Sequence, residues 1–137
     1  MRERSSSLTA KPKETLKKRA AFINAANGVF LARNGFVVQR NRQKPVAALD
    51  GTDARVGFTV TRKIGNAVVR NRIRRRLKEA IRHTDDGLFD ADHDYVLIGR
   101  QPALTIDFNS LCADIEYALK KLARGEGRTS RPYKRRK

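Results

Sequence analysis

Residues 63–82, KIGNAVVRNRIRRRLKEAIR, constrain the fold more than any other stretch of the chain. Asn66 is a good N-cap residue, and the spacing of the apolar residues predicts a helix from there to about Arg82. The apolar residues fall within an arc of about 120° on a helical wheel. They are Val69, Ile73, Leu77, Ala80 and Ile81. We expect this arc to pack against the rest of the protein.

The side of the helix opposite the apolar arc is almost entirely cationic. It consists of Asn71, Arg72, Arg74, Arg75, Lys78 and Arg82. Arg70 falls within the apolar arc, but it lies in the opening turns, where a side chain can leave past the helix end. Cations near a helix N-terminus oppose the macrodipole by about 0.3–1 kcal/mol each, and like charges four residues apart repel each other. Only Glu79 interrupts the positive run.

A solvated helix face usually mixes both signs of charge, so stability alone would not select this one. A polyphosphate would relieve the repulsion, because each cation could meet a phosphate and release counterions. Arginine predominates over lysine, which suits bidentate contact to phosphate. The pattern therefore predicts a nucleic-acid-binding face.

Charge and composition support this interpretation. The chain has 137 residues, enough for one domain with tails, and its net charge is +17. Residues 83–123 are acidic, whereas both termini and residues 62–82 are basic, which favours a nucleic acid over a membrane as partner. No apolar run approaches the roughly 20 residues of a membrane span. Cys112 is the only cysteine, which excludes an internal disulfide or a multi-cysteine zinc site and fits a cytoplasmic protein.

The N-terminal half is expected to begin with a disordered basic tail, residues 1–14, followed by a helix that ends near Gly28. The predicted buried stripe of this helix contains Leu16, Ala20, Ile23 and Asn27, with Phe22 at its margin. Residues 29–42 have the pattern of a strand. Residues 55–61 alternate, which predicts one apolar face and one polar face. The polar face could meet water or form the floor of a ligand site.

In the C-terminal half, the acidic segment 83–94 is predicted to be a solvated turn region without calcium-site spacing. The apolar run 95–99 is typical of a central strand, and a helix from Phe108 should end at Gly125. The remaining residues, 124–137, form a second basic tail that we expect to be disordered. The order of helix, strands, helix, strand and helix predicts an α+β fold in which helices pack on a small sheet.

Residues 55–82, RVGFTVTRKIGNAVVRNRIRRRLKEAIR, resemble the bacterial ribonuclease P protein family. That family carries a basic helix with an Arg-Asn-Arg core, here Arg70-Asn71-Arg72, after a strand and a Lys-x-Gly-x-Ala turn, here Lys63 to Ala67. The similarity extends through Gly35-Phe36-Val37-Val38 and the run 94–98. It covers residues 15–123, which we take as one RNA-binding domain.

The resemblance implies a fold and a function. The strand at 55–61, the basic helix and the strand at 95–99 should form a left-handed βαβ crossover, although about 98% of such crossovers are right-handed. The protein should be a monomer that binds the catalytic RNA subunit of ribonuclease P and helps it remove the 5′ leader of precursor tRNA. The RNA should hold the catalytic Mg²⁺, so no catalytic or metal-binding residue is expected in the protein.

The family's site residues can be transferred position by position. The residues expected to contact RNA are Arg62, Lys63, Arg70, Asn71, Arg72, Arg74, Arg75 and Lys78. Those expected to line a cleft for the leader are Phe22, Gln39 and Thr59. Two positions depart from the family pattern, since Ala26 replaces a second aromatic residue and Gln39 replaces a tyrosine. The cleft should therefore stack bases less strongly and form more hydrogen bonds.

Three other functions remain open at this point. A non-enzymatic RNA-binding protein of ribosomal type would have the same composition. A stand-alone nuclease would need an acid/base pair or clustered carboxylates, and His83 and His93 are more typical of surface histidines. A helix-turn-helix protein is disfavoured, because the basic helix is followed by an acidic segment and an apolar strand.

Overall fold

The computed structural model describes residues 19–43, 54–90 and 93–129. The helices are α1, Arg19–Ala26; α2, Ala67–Arg82; and α3, Phe108–Ala123. The strands are β1, Val29–Ala32; β2, Phe36–Arg42; β3, Arg55–Thr59; β4, His93–Gly99; and β5, Arg128–Thr129. Short 3-10 turns occur at Arg62–Ile64, Asp86–Leu88 and Gln101–Leu104.

The strands form one mixed sheet in the order β3-β4-β2-β1-β5. β4 is an interior strand, antiparallel to β2 and parallel to β3. Because β3 and β4 are parallel neighbours, α2 is the crossover between them. The predicted α+β fold, the interior position of β4 and the parallel crossover are confirmed, while the left hand of the crossover stays a prediction.

The two faces of the sheet have different coverings. α2 and α3 cover one face, where Phe36 and Val38 of β2 and Tyr95 and Leu97 of β4 are buried with the apolar sides of both helices. Val96, on the opposite face of β4, packs with Ala25 of α1 in a smaller second cluster. We call this second side of the sheet the α1 face.

The basic helix and the last helix have the predicted boundaries. The Asn66 side chain accepts a hydrogen bond from the Val69 N–H at 3.0 Å, and that of Asp107 accepts one from Ser110 at 3.2 Å. Gly125 ends α3 with a φ of 80°, a conformation that favours glycine. Both caps and the stop are local interactions, which is why the sequence pattern locates these two helices well.

Two expectations for the N-terminal half are wrong. Residues 29–42 are two strands rather than one, because a turn at residues 33–35 folds β1 and β2 into an antiparallel hairpin. In α1 the buried positions are Asn24 and Ala25, and Ile23 is 50% exposed. The stripe through Ala20 and Ile23 therefore faces outwards, and Phe22 packs partly buried against the second cluster.

The folded chain also extends beyond the predicted boundary at residue 123. Arg128 and Thr129 pair with Phe30 and Val29 at the edge of the sheet. Their register with β1 shows that part of the segment assigned to a disordered tail is a strand. The predictions for residues 1–14, for the start of the domain at 15 and for residues 130–137 lie outside the described residues.

The acidic segment is less exposed than a solvated turn would be. Phe89 is fully buried, and Asp94 is 1% exposed. Asp94 accepts hydrogen bonds from Arg55 at 2.8 and 3.0 Å, while Asp90 forms an ion pair with Arg40. These carboxylates belong to the fold because arginines of neighbouring strands hold them. Within the described chain, no helix has the length and hydropathy needed to cross a membrane.

Candidate nucleic-acid interface

α2 separates its apolar and cationic sides as the sequence predicts. Ile73 and Leu77 are fully buried in the core beneath the sheet. On the other side Asn71, Arg72 and Arg75 are exposed, whereas Arg74 and Lys78 are partly buried. The structure therefore places these five predicted contact residues on the outward side of one rigid helix.

The remaining predicted contact residues lie at the entrance to α2. Arg62 and Lys63 are exposed in the 3-10 turn that connects β3 to the helix. Arg70 folds back across the first turn, where its Nε donates to the Gly65 carbonyl at 3.1 Å. The Arg70 side chain therefore leaves the apolar side of α2, as the sequence predicts, and contacts the backbone just before the helix. The cationic surface of the turn and of α2 is therefore continuous along the chain, and we call it the basic surface.

Arg76 has a different role from its neighbours. Its two Nη atoms donate to the carbonyls of Ala103 and Ile106 at 2.8 and 2.6 Å. These bonds join the middle of α2 to the segment that leads into α3. No sequence pattern indicates this role of Arg76, because its partner carbonyls lie 27 and 30 residues away.

The three residues of the predicted cleft share the α1 face. Gln39 of β2 pairs in register with Val96 of β4, and Thr59 of β3 pairs with Ile98. Paired residues direct their side chains to the same side of a sheet. Phe22 and Ile98 pack against the cluster of Ala25 and Val96, so Phe22, Gln39 and Thr59 all border this face.

Hydrogen bonds to β2 fix the position of α1. The Asn24 side chain donates to the Arg42 carbonyl at 3.0 Å, and the Asn41 side chain donates to the Asn24 carbonyl at 2.7 Å. These contacts hold one side of α1 at the Arg42 end of β2. Phe22 and Ala26 are each about 160° around the helix from Asn24, so they border the opposite side of α1, towards Val37. Val37, Ile98 and Thr59 are partly exposed on this side, and we call the sheet surface beside α1 that carries them the groove.

The Thr59 end of the groove leads directly to the basic surface. Thr59 ends β3, and the turn Arg62–Ile64 begins three residues later. This continuity brings the predicted cleft and the predicted RNA-binding helix together. No sequence pattern points to the asparagines that fix α1, since neither forms part of a motif.

A second polar network lies on the core side of the sheet. The buried Tyr95 hydroxyl accepts a hydrogen bond from the Asp90 N–H at 2.8 Å and another from Arg40 at 3.3 Å. Burial raises the pKa of Tyr95, although both hydrogen bonds act in the opposite direction. This network fastens the end of the acidic segment to the sheet.

The described residues do not form a recognisable metal site. No group of three or more His, Cys, Asp or Glu side chains lies together in residues 19–43, 54–90 and 93–129. The nearby carboxylates of Asp90 and Asp94 are engaged by arginines. The donors present therefore do not fit a protein-held Mg²⁺.

Comparisons with known proteins agree with this geometry. The family model named Ribonuclease P matches residues 10–123. A curated Erythrobacter litoralis "Ribonuclease P protein component" is 41% identical over 122 residues, which cover 88% of this chain and 93% of that protein. A Brucella suis protein of the same name is 41% identical over 127 residues, with 85% and 88% coverage.

Solved structures show the same similarity. The Staphylococcus aureus RNase P protein has a TM-score of 0.62 and 30% identity, and the match covers 78% of this chain and 93% of that one. The Thermotoga maritima RNase P protein has a TM-score of 0.63 and 26% identity, with 80% and 97% coverage. The family match includes every helix of the described fold.

Proposed function

The chain belongs to the Ribonuclease P protein family, and from this we propose that it is the protein subunit of a bacterial ribonuclease P ribonucleoprotein. In that complex it helps an endoribonuclease remove the 5′ leader of precursor tRNA. The observation that carries the proposal is the continuity between the groove beside α1 and the basic surface. A ribosomal-type role is not favoured, because the matching relatives are ribonuclease P proteins.

The basic surface binds the RNA subunit in this proposal. Arg72 and Arg75 are exposed on a helix whose other side is buried, so they can contact phosphates without disturbing the core. Guanidinium groups bind phosphate oxygens in pairs, and each contact releases counterions. Arg62 and Lys63 extend the same contact towards the groove.

The groove holds the single-stranded leader. Phe22 offers an aromatic ring at its wall, and base stacking on such a ring contributes about 1–3 kcal/mol. Gln39 supplies an amide that can donate to and accept from base edges, and Thr59 supplies a hydroxyl. Mature tRNA lacks the leader, so these three residues should distinguish the substrate from the product.

The chemical step belongs to the RNA subunit in this proposal. Hydrolysis of a phosphodiester needs a positioned metal ion or an acid/base pair at the scissile phosphate. The described residues do not fit a Mg²⁺ site, so we assign the ions to the RNA. The protein contributes leader binding and screens phosphate repulsion. We expect one copy of the chain in each cytoplasmic complex.

The test is reconstitution with a bacterial ribonuclease P RNA at low magnesium. The full chain should restore leader cleavage under these conditions and should be inactive without RNA. Phe22→Ala should weaken binding of precursor tRNA but leave mature tRNA binding unchanged. Ile23→Ala is a matched control, because Ile23 adjoins Phe22 but is 50% exposed. Leader cleavage by RNA-free protein, or equal loss for both tRNAs, would contradict the proposal.

A further inference from the structure

Phe30 is an aromatic residue that the folded core does not account for. It lies in the middle of β1 and is only partly buried. Its neighbours Val29 and Leu31 pack against the main core, so Phe30 points to the α1 face. Of the two hydrophobic clusters formed by the described residues, Phe30 belongs to neither. A large apolar ring is therefore left beside the groove.

The sheet register places Phe30 between a cation and an amide. Phe30 pairs with Gln39 of β2 on one side and with Arg128 of β5 on the other. Paired residues in antiparallel strands share a face, so Arg128, Phe30 and Gln39 form a row on the α1 face. Arg128 is exposed. The row combines a guanidinium that can bind a phosphate, an aromatic ring on which a base can stack, and an amide that can form hydrogen bonds with a base edge.

The groove runs towards this row. Ala25 and Phe22 pack near Val96 of β4, whereas Gly28, just after α1, lies against the Arg40 carbonyl of β2. α1 therefore crosses the strands, and so does the groove beside it. Across the sheet, Thr59 on β3 and Phe30 on β1 are three strand spacings apart, or about 14 Å, and their rows are offset by two residues along the strands. Thr59 lies at the end next to the basic surface, and Phe30 lies at the far end.

Ala26 makes this far end accessible. It is the last residue of α1 and has the same orientation around the helix as Phe22, one turn away. Its methyl group is much smaller than the Phe22 ring, so α1 covers less of the sheet where the chain turns into β1. Phe30 is itself only partly buried, which leaves part of the residue exposed to a planar base.

We propose that Phe30 and Arg128 form a distal nucleotide subsite that binds a leader base and its phosphate far from the cleavage point. The inference rests on the proposed function, because it extends the leader path from Phe22 and Gln39 to the β1–β5 edge. A base stacks on Phe30, Gln39 contacts its edge, and Arg128 contacts the adjoining phosphate. The subsite acts only on leaders long enough to cross the groove.

The decisive measurement is affinity as a function of leader length, using the full chain assembled with a bacterial ribonuclease P RNA. Precursor tRNAs with leaders lengthened one nucleotide at a time are compared with mature tRNA. Phe30→Leu keeps an apolar side chain but removes the ring, and Phe30→Tyr keeps the ring. Phe30→Leu should match the wild type on short leaders and bind long leaders roughly 5-fold or more weakly. Phe30→Tyr should retain wild-type affinity.

Tyr117→Leu is the matched control, since Tyr117 is an aromatic residue of α3 that is 44% exposed away from the α1 face. It should not change the dependence on leader length. The inference is overturned if Phe30→Leu binds every leader as the wild type does, or if its loss is equal for mature tRNA. If the wild-type complex itself fails to discriminate precursor from mature tRNA, the proposed function fails instead.

Arg128 gives an independent measurement. Arg128→Ala should flatten the salt dependence of long-leader binding by about 0.7 in the slope of log K against log salt. Arg124→Ala is the control, because Arg124 lies nearby in sequence but pairs with Glu126 at 3.5 Å. An unchanged slope for Arg128→Ala would show that Arg128 does not contact a phosphate at the subsite.

Discussion

Replacement of Arg76 tests whether the arginines of α2 divide into structural and RNA-facing groups. Arg76 makes two charge-assisted hydrogen bonds, to the carbonyls of Ala103 and Ile106. Hydrogen bonds from charged donors contribute about 1.5–3 kcal/mol each. Ala103 is fully buried, so its carbonyl would lose a partner that water does not readily replace, whereas Ile106 is partly exposed. We expect Arg76→Ala to lower the free energy of unfolding by about 3 kcal/mol.

Arg75→Ala is the matched control. The two arginines are adjacent, but Arg75 is exposed on the basic surface. Its removal should change the free energy of unfolding by less than about 0.5 kcal/mol. Urea unfolding followed by circular dichroism measures both variants, and unchanged m-values would show that the midpoints report stability.

For RNA binding we expect the opposite order, with the larger effect from Arg75→Ala and the smaller from Arg76→Ala. At temperatures where both variants are folded, Arg75→Ala should flatten the salt slope by about 0.7–0.9, the effect of one lost phosphate contact. Arg76→Ala should leave the slope unchanged, because its guanidinium is directed at backbone carbonyls. The reasoning is refuted if Arg76→Ala unfolds at the wild-type midpoint or flattens the slope as Arg75→Ala does.

Two further outcomes follow from the structure. Arg72→Ala combined with Arg75→Ala should weaken RNA binding and reduce the salt slope by about 0.7–0.9 per lost contact, with little effect on the unfolding midpoint; an unchanged slope would place the RNA interface elsewhere. Because burial raises the pKa of Tyr95, the folded state holds that proton more tightly than the unfolded state. The free energy of unfolding should therefore be unaffected by Tyr95 below the ordinary tyrosine pKa of about 10 and should fall as pH rises above it. Tyr95→Phe should reduce this loss of unfolding free energy at alkaline pH, as measured by unfolding at a series of pH values.

The sequence predicts α2 and β4 well because their signals are local and strong. Ile73 and Leu77 repeat at helical spacing, Asn66 supplies the cap within the same segment, and residues 95–98 form an uninterrupted apolar run. None of these features needs a distant partner. The boundaries and the buried side of α2 therefore follow from periodicity alone.

α1 shows where periodicity fails. The described helix contains four alanines, so Phe22 and Ile23, which point about 100° apart, dominate any estimate of its apolar side. The structure instead buries Asn24, whose hydrogen bonds to β2 set the rotation of the helix. A polar residue that is satisfied by a strand 17 or 18 residues away gives no periodic signal. Tertiary hydrogen bonding therefore overrides the sequence pattern.

The candidate site likewise contains residues that helical periodicity locates and residues that it does not. Arg72 and Arg75 can be assigned to a cationic side from the helical wheel, and the structure places both there. Phe30 cannot be assigned in this way, because its importance depends on the register that sets it beside Gln39 and Arg128. The sequence pattern places Arg128 in a basic tail, so this neighbourhood exists only once β5 has formed.

The separation of the two sides of α2 has a consequence for salt. Full burial of side chains such as Ile73, Leu77 and Ile81 contributes about 1.5–3 kcal/mol each, more than the 0.3–1 kcal/mol by which each exposed cation opposes the helix dipole. The packed side can therefore support a self-repelling surface. Salt screens that repulsion in the free protein but competes with phosphate contacts in the complex. Raising the salt concentration should increase the Tm of the free protein while it weakens RNA binding. Calorimetry and binding titrations across one salt series measure both, and a Tm that falls with salt would show that repulsion on the basic surface does not limit stability.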